Sequence, residues 1–187
     1  MGYSQAWLAV KGKTRTTVLD ALGLQPTGTR EEIAESPVVG AELPSGWYLV
    51  VTGRSGYGLT RDSVLRKVSA GCEVVVGEVE EHVMVSIAAG WNDGHEVWSV
   101  VHDSQRGRQH LETKGTMPAA FAGIHDEFLS KQQEEGPKAK VDYIFEIPVE
   151  LARSLTGYRH DATVPGTSGQ PFEILTAPSF LKRLFGG

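Results

Sequence analysis

The middle of the chain carries an alternating pattern of side chains. From residue 83, β-branched residues recur at every second position, as Val83, Val85 and Ile87. Side chains of a strand point alternately to its two faces, so this period predicts strands. Asn92-Asp93-Gly94 separates two such runs and favours a tight hairpin turn, because its residues tolerate positive φ. Residues 72–114 are therefore predicted to form four consecutive antiparallel strands.

The first 79 residues predict strands mixed with helices. Short apolar runs bounded by turn residues predict strands at 6–10, 38–43, 47–52 and 72–79. Helical spacing predicts helices at 16–22 and 60–70, each followed by a glycine, Gly23 or Gly71. Residues 25–37 are polar, contain two prolines, and predict a loop. The resulting order is that of a ferredoxin-like βαββαβ unit, which the later strands would extend as a meander.

The last third of the chain predicts a long helix from Pro118, a strand at 141–147 and a short helix ending near Leu155. The fold class is therefore α+β, with a mostly antiparallel sheet and helices mainly on one face. Residues 1–161 are predicted to form a single domain. Glycine, proline, threonine and serine become frequent after His160, so residues 162–187 are predicted to be a tail that packs loosely or is disordered.

Composition narrows the functional classes. The chain has 187 residues, a formal charge of −5 and a pI near 5.7. An acidic chain of this kind is expected to bind neither nucleic acid nor anionic membranes, since both require a basic face. Its one cysteine, Cys72, cannot form an internal disulfide, which favours a reducing compartment. With no signal peptide and no long apolar run, the prediction is a cytoplasmic protein.

A glycine-rich loop between a predicted strand and a predicted helix is the first candidate site. Gly53, Gly58 and Thr60 copy most of the phosphate-binding pattern G-x-x-x-x-G-K-[ST], but Leu59 stands where the pattern requires lysine. Backbone N–H groups at a helix start could still hold an anion. The candidate anion-binding residues are Gly53, Arg54, Gly56, Gly58, Thr60 and Arg61. The alternative is a flexible turn in which Thr60 caps the helix.

Histidines at the ends of the predicted strands are the second candidate. A hairpin turn at 104–108 would bring His102 close to Gln109 or His110, with Asp103 beside them. Two histidines and a carboxylate could bind zinc or perform acid–base catalysis. No standard metal-ligand spacing is present, however, so the sequence predicts no metal and no cofactor. The alternative is that each histidine is structural.

An acidic hairpin tip and one tryptophan are candidates for binding a partner protein. Glu80, Glu81 and His82 fall in a tight turn between two strands, where they could attract a basic partner. Trp91 borders another turn, where its side chain could be exposed to a partner. The alternatives are that the acidic residues only keep the tip solvated and that Trp91 packs in the sheet.

The run from Ser69 to Gly115, together with VDYIFEIPVELARSLTGYRHD at residues 141–161, resembles a set of uncharacterised bacterial proteins. The resemblance covers residues 3–161 and implies no activity. In size, charge and class the chain also resembles bacterial immunity proteins, which block a toxin. The sequence therefore predicts a non-enzymatic protein that binds another protein, an immunity-type inhibitor being one form. The alternatives are a small enzyme or ligand-binding domain and an oligomeric structural protein.

Overall fold

Nine antiparallel strands form one sheet at the centre of the described part of the chain. The structure, a computed structural model, describes residues 2–53, 58–136, 140–164, 166–167 and 169–177. The strands are β1 (Ser4–Lys11), β2 (Gln25–Glu31), β3 (Val38–Glu42), β4 (Tyr48–Thr52), β5 (Glu73–Glu80), β6 (Val85–Asn92), β7 (His95–Asp103), β8 (Glu112–Gly115) and β9 (Phe172–Thr176). Their order across the sheet is β2-β9-β3-β4-β1-β5-β6-β7-β8.

Four α-helices accompany the sheet within the described residues. They are α1 (Arg15–Leu22), α2 (Asp62–Val68), α3 (Phe121–Glu135) and α4 (Tyr143–Thr156). None of the helices in the described ranges is both long and apolar enough to cross a membrane. The predicted α+β class with an antiparallel sheet is confirmed.

The predicted four-strand meander of residues 72–114 is confirmed, since β5, β6, β7 and β8 are successive neighbours in the sheet. Its tightest turn joins β6 to β7 at Asp93 and Gly94, whose φ angles are 46° and 81°. Asparagine, aspartate and glycine tolerate this left-handed region better than other residues, so the sequence signal and the observed turn agree.

The first 79 residues contain the predicted strands and helices, together with one additional strand. The predicted strands β3, β4, β1 and β5 are adjacent in that order, each antiparallel to the next. The additional strand, β2, lies in the segment predicted to be a loop. Six of its seven residues are exposed because it forms an edge of the sheet, so it lacks the apolar alternation that reveals a strand with a buried face.

Helices cover both faces of the sheet, whereas the sequence predicted them mainly on one. Leu8 and Val10 of β1 pack in a core with α1 and α2, and the alternate residues Trp7 and Ala9 pack in a second core with α3 and α4. Six consecutive residues of β1 are buried. A strand buried on both sides requires a layer on each face of its sheet.

Helix α4 replaces the strand predicted at 141–147. Alternation of Val141, Tyr143 and Phe145 suggested a strand, yet Ile144, Ile147 and Leu151 are fully buried at helical spacing. Asp142 caps the helix, because its Oδ1 accepts a hydrogen bond from the Phe145 N–H at 3.3 Å. The helical period therefore prevails, and it continues through Pro148 to Thr156.

The segment after residue 161, predicted to be a tail, contributes strand β9 to the sheet. This strand lies between β2 and β3, and its residues Phe172, Glu173 and Leu175 are buried. The sheet thus extends beyond the predicted domain boundary. Residues 178–187, the last part of the predicted tail, lie outside the described residues.

Candidate functional site

His102, the leading catalytic candidate, is fully buried. Its Nδ1 lies 2.7 Å from the backbone oxygen of His110, and its Nε2 lies 3.1 Å from Oδ2 of Asp142. A carbonyl oxygen only accepts, so Nδ1 must carry a proton. The side chain links β7, the start of β8 and the first residue before α4. With no exposed surface, it cannot touch a substrate in this conformation.

Burial and pairing act in opposite directions on this couple. Burial lowers the pKa of His102, but hydrogen bonds to Asp142 and to the His110 carbonyl raise it, and the net pKa is raised. For Asp142, burial raises the pKa, whereas the hydrogen bond and charge of His102 lower it, with a lowered net value. Both shifts favour a buried imidazolium–carboxylate ion pair. This pair has a structural role.

Asp103 and His110 also have structural partners. The Asp103 N–H donates to Nδ1 of His110 at 3.0 Å, and Oδ1 of Asp103 accepts from the Gln105 N–H at 2.9 Å. The second contact caps a 3-10 turn at Ser104–Arg106. The predicted proximity of His102 and His110 is therefore observed, with ring centroids 6.4 Å apart. Across the described ranges, no three histidine, cysteine or acidic side chains converge as metal ligands would.

The glycine-rich loop is described only in part, because Arg54 and Gly56 lie outside the described residues. Helix α2 begins at Asp62 with Arg61 at its N-cap, so Thr60 does not cap it as predicted. The positive end of the helix dipole has a carboxylate in its first turn, Asp62, which disfavours a second anion. Gly58 has a φ of 76° and lies against the Arg61 side chain. Anion binding by Gly53, Gly58 and their neighbours remains a prediction.

The acidic hairpin tip connects β5 to β6, and its residues contact the start of β1. Glu80 accepts from the Ser4 hydroxyl at 2.5 Å and lies 2.7 Å from Nδ1 of His82. Glu81 accepts from the Tyr3 N–H through Oε2 at 2.9 Å and contacts Nε2 of His160 through Oε1 at 3.2 Å. The tip is thus attached to two segments that are distant in sequence.

Trp91 does not belong to this surface. It lies near the opposite end of β6 and is 4% exposed, in the core with α1 and α2. Its Nε1 is buried without a hydrogen-bond partner among the described residues. The expected exposure of Trp91 is therefore wrong, because its side chain packs on the face of the sheet that α1 and α2 cover.

Beside the hairpin tip lies a cleft of about 520 Å³, a size typical of binding sites. It extends from the start of β1 to the β2–β3 loop and to Phe172, the first residue of β9. We call it the N-terminal cleft and define it by Tyr3 and Gln5 at the start of the chain, the β2–β3 loop at 32–34, Tyr158 and residues 160–164 after α4, and Phe172. Four separate parts of the chain thus meet at one site.

The walls of the N-terminal cleft combine exposed apolar groups with buried polar ones. Tyr3 is 47% exposed and Ile33 is 64% exposed, the largest value among the large hydrophobic residues described. Gln5 is only 6% exposed, and its Oε1 accepts from the Tyr158 hydroxyl at 2.8 Å. The Gln5 amide nitrogen has no hydrogen-bond partner within the described ranges. Among the described residues, the one fully buried side-chain nitrogen or oxygen without a partner is Trp91 Nε1, so the Gln5 nitrogen is reached by solvent and is available to a ligand.

Arg159 holds the segment after α4 in place. Its guanidinium contacts Asp161 at 2.6 Å, Glu146 at 3.0 Å, and also Glu150. Burial lowers the pKa of Arg159, but the hydrogen bond to Asp161 and the nearby carboxylates raise it by more, so the net pKa is raised. For Asp161, burial raises the pKa, but the hydrogen bond and charge of Arg159 lower it, and the net pKa is lowered. One cation therefore fixes three carboxylates, and the surroundings stay acidic.

A second cleft of about 720 Å³ lies beside β3 and β9, but three of its four charged side chains, those of Arg15, Arg30 and Glu173, already have partners. Glu173 contacts the Arg15 guanidinium and accepts from the Tyr48 hydroxyl at 2.7 Å. Arg30 donates to the backbone oxygens of Gln170 and Pro171. These bonds hold α1 and β2 against β9. The N-terminal cleft is therefore the better candidate for binding.

Comparisons with known proteins give no family for this chain. No family model matches it, and neither does a curated protein or a solved structure. The resemblance to uncharacterised bacterial proteins therefore remains a prediction.

Sequence reasoning found the acidic tip but missed the cleft beside it. Gln5, Ile33, Tyr158 and His160 show no motif, because their proximity depends on the sheet order and on the return of the chain after α4. The available signal was an isolated apolar residue, Ile33, in a polar loop. Such a residue indicates a contact surface only when its neighbours in space are known.

Proposed function

We propose that this chain is a non-enzymatic protein that binds another protein through the N-terminal cleft and the adjacent tip at Glu80–His82. The observation that carries the proposal is the cleft itself. Two of the five exposed large hydrophobic residues described, Tyr3 and Ile33, lie at its walls. Exposed apolar groups beside polar and charged ones are typical of protein-binding surfaces.

The environment of the predicted catalytic residues supports binding rather than catalysis. His102 is fully buried in an ion pair, and Asp103 and His110 are engaged with each other and with a turn. Inhibition of a toxin would be one form of this function. An acidic surface suits an inhibitor that covers a basic site on its target, because complementary charges steer the two proteins together.

The proposal is tested by capture of a partner with a matched pair of variants. Ile33→Asp places a charge at the cleft wall in a loop, and Val97→Asp changes a 41% exposed residue at the start of β7. From lysate of the native host, we expect wild type and Val97→Asp to retain one stoichiometric protein that Ile33→Asp loses. Circular dichroism checks that both variants fold. The proposal is contradicted if no protein is retained, or if Ile33→Asp retains it equally.

A second candidate function is a small enzyme that uses the same cleft. The observation that favours it is the hydrogen bond between His160 and Glu81, because a carboxylate-oriented imidazole can act as a general base. Assays of the purified chain with nucleotides, phosphoesters and peptides test it. Turnover that disappears in His160→Gln would support this function and count against the binding protein.

A further inference from the structure

We infer that the N-terminal cleft takes an extended segment of the partner protein in which a lysine or arginine lies next to a large apolar side chain. This inference rests on the proposed function and names the chemistry of its partner. Three features of the cleft lead to it: its apolar wall, two side-chain nitrogens without partners, and its charge.

The apolar wall requires an apolar side chain in the partner. Tyr3 and Ile33 are exposed hydrophobic residues that line the cleft, and the buried residues Val164 and Phe172 line it as well. Covering Ile33 removes apolar surface from water, which is the main favourable contribution in protein association. A segment without a large apolar side chain would leave this surface exposed.

Accessible nitrogens of two largely buried side chains in the cleft match a backbone amide. The Gln5 amide nitrogen donates and has no partner among the described residues. The Glu81 carboxylate only accepts, so Nε2 of His160 carries the proton between them, and the other ring nitrogen, Nδ1, has no partner in the described ranges. His160 is 8% exposed. A peptide backbone carries both a C=O and an N–H, so an extended segment can satisfy Gln5 and His160 together.

The charge of the cleft selects a basic segment. Two carboxylates, Glu32 and Asp161, are among the described residues that line it, and no lysine or arginine is. Asp161 is already bound by Arg159, whereas Glu32 has no ion-pair or hydrogen-bond partner for its side chain in the described part of the chain. A lysine or arginine can pair with Glu32 at the rim. An acidic segment or a phosphate would be repelled.

The test uses a phage-displayed library of random dodecapeptides selected on the full-length chain. We expect enriched peptides to carry a lysine or arginine within two positions of a large apolar residue. Synthetic copies should bind Glu32→Lys about tenfold more weakly than wild type, measured by fluorescence anisotropy. The control is Glu134→Lys, an exposed carboxylate on α3, which should bind within about twofold of wild type.

Each outcome separates this inference from the proposed function. Enriched peptides that lack a basic residue but lose affinity in Ile33→Asp would overturn the inference and leave the proposed function standing. The inference is also overturned, and the proposed function again stands, if every peptide binds Glu32→Lys and Ile33→Asp as well as wild type while the host protein is still lost from Ile33→Asp. Failure of both the peptide selection and the host capture would overturn both.

Discussion

The buried pair of His102 and Asp142 shows how a site residue predicted from sequence can have a structural role. The proximity of His102 to His110 could be predicted, because a short turn between two strands is visible in the local sequence. The sequence did not predict that Asp142 would pair with His102, because the two residues are 40 positions apart. Asp142 also precedes α4, a helix whose first residues alternate like those of a strand. Its role as a helix cap depends on that helix.

The pair predicts a pH-dependent stability. The raised pKa of His102 means that its contribution is complete below its unfolded value of 6.5 and is lost as pH rises through the folded value. The lowered pKa of Asp142 means that its contribution is complete above 3.8 and is lost as pH falls through the folded value. We expect the stability difference between wild type and His102→Gln to be largest between these limits and to shrink above pH 6.5.

Urea unfolding at a series of pH values measures this difference. The control is His82→Gln at the exposed hairpin tip, whose stability should follow that of wild type more closely. His102→Leu leaves the Asp142 carboxylate buried without its cation, so it should cost about 3 kcal/mol at neutral pH. A pH-independent difference for His102→Gln would show that the pair is not ionised.

Gly77 in β5 gives a second prediction at the residue scale. A Cβ atom there would lie 2.3 Å from the Trp7 ring, so Gly77→Ala must displace that ring. Trp7 packs edge-on against the ring of Tyr158, and the Tyr158 hydroxyl donates a hydrogen bond to Gln5 in the cleft. We expect a loss of about 2 kcal/mol in unfolding free energy, together with weaker partner binding.

Gly123 provides the matched glycine. A Cβ at this position in α3 meets nothing within 4 Å, so Gly123→Ala should stabilise the chain by about 0.5 to 1 kcal/mol. Thermal and urea unfolding of both variants measure the contrast. Equal effects of the two substitutions would mean that backbone freedom, rather than crowding against Trp7, governs Gly77.

At the scale of elements, strand β9 gives a prediction by truncation. Ending the chain after Asp161 removes β9, which leaves β3 without a neighbour on that side and removes Glu173 from Arg15 and Tyr48. An unpaired strand edge invites association between chains. We expect this truncation to lower stability by several kcal/mol and to aggregate on size-exclusion chromatography.

Ending the chain after Ala177 is the control, because it keeps all nine described strands. This variant should remain close to wild type in unfolding free energy and elution volume. If truncation after Asp161 were equally stable, β9 would be dispensable, and the boundary predicted from composition would be the correct one.

At the scale of the whole molecule, sequence patterns predicted what depends on near neighbours. The meander β5–β8 has short turns and strands with buried faces, so its order followed from the chain itself. The insertion of β9 between β2 and β3 did not, because it joins residues about 140 positions apart in the sequence. The N-terminal cleft depends on this same long-range closure, which explains why no local motif announced it.

The position of β9 also has a consequence for biosynthesis. Strand β2 emerges early from the ribosome, yet its neighbour in the sheet, β9, is translated more than a hundred residues later. Until residues 172–176 are released, β2 has no strand to join and the exposed edge of β3 needs protection from other nascent chains. We therefore expect this half of the protein to mature after β1 and β4–β8, and to be the part that chaperones hold during translation.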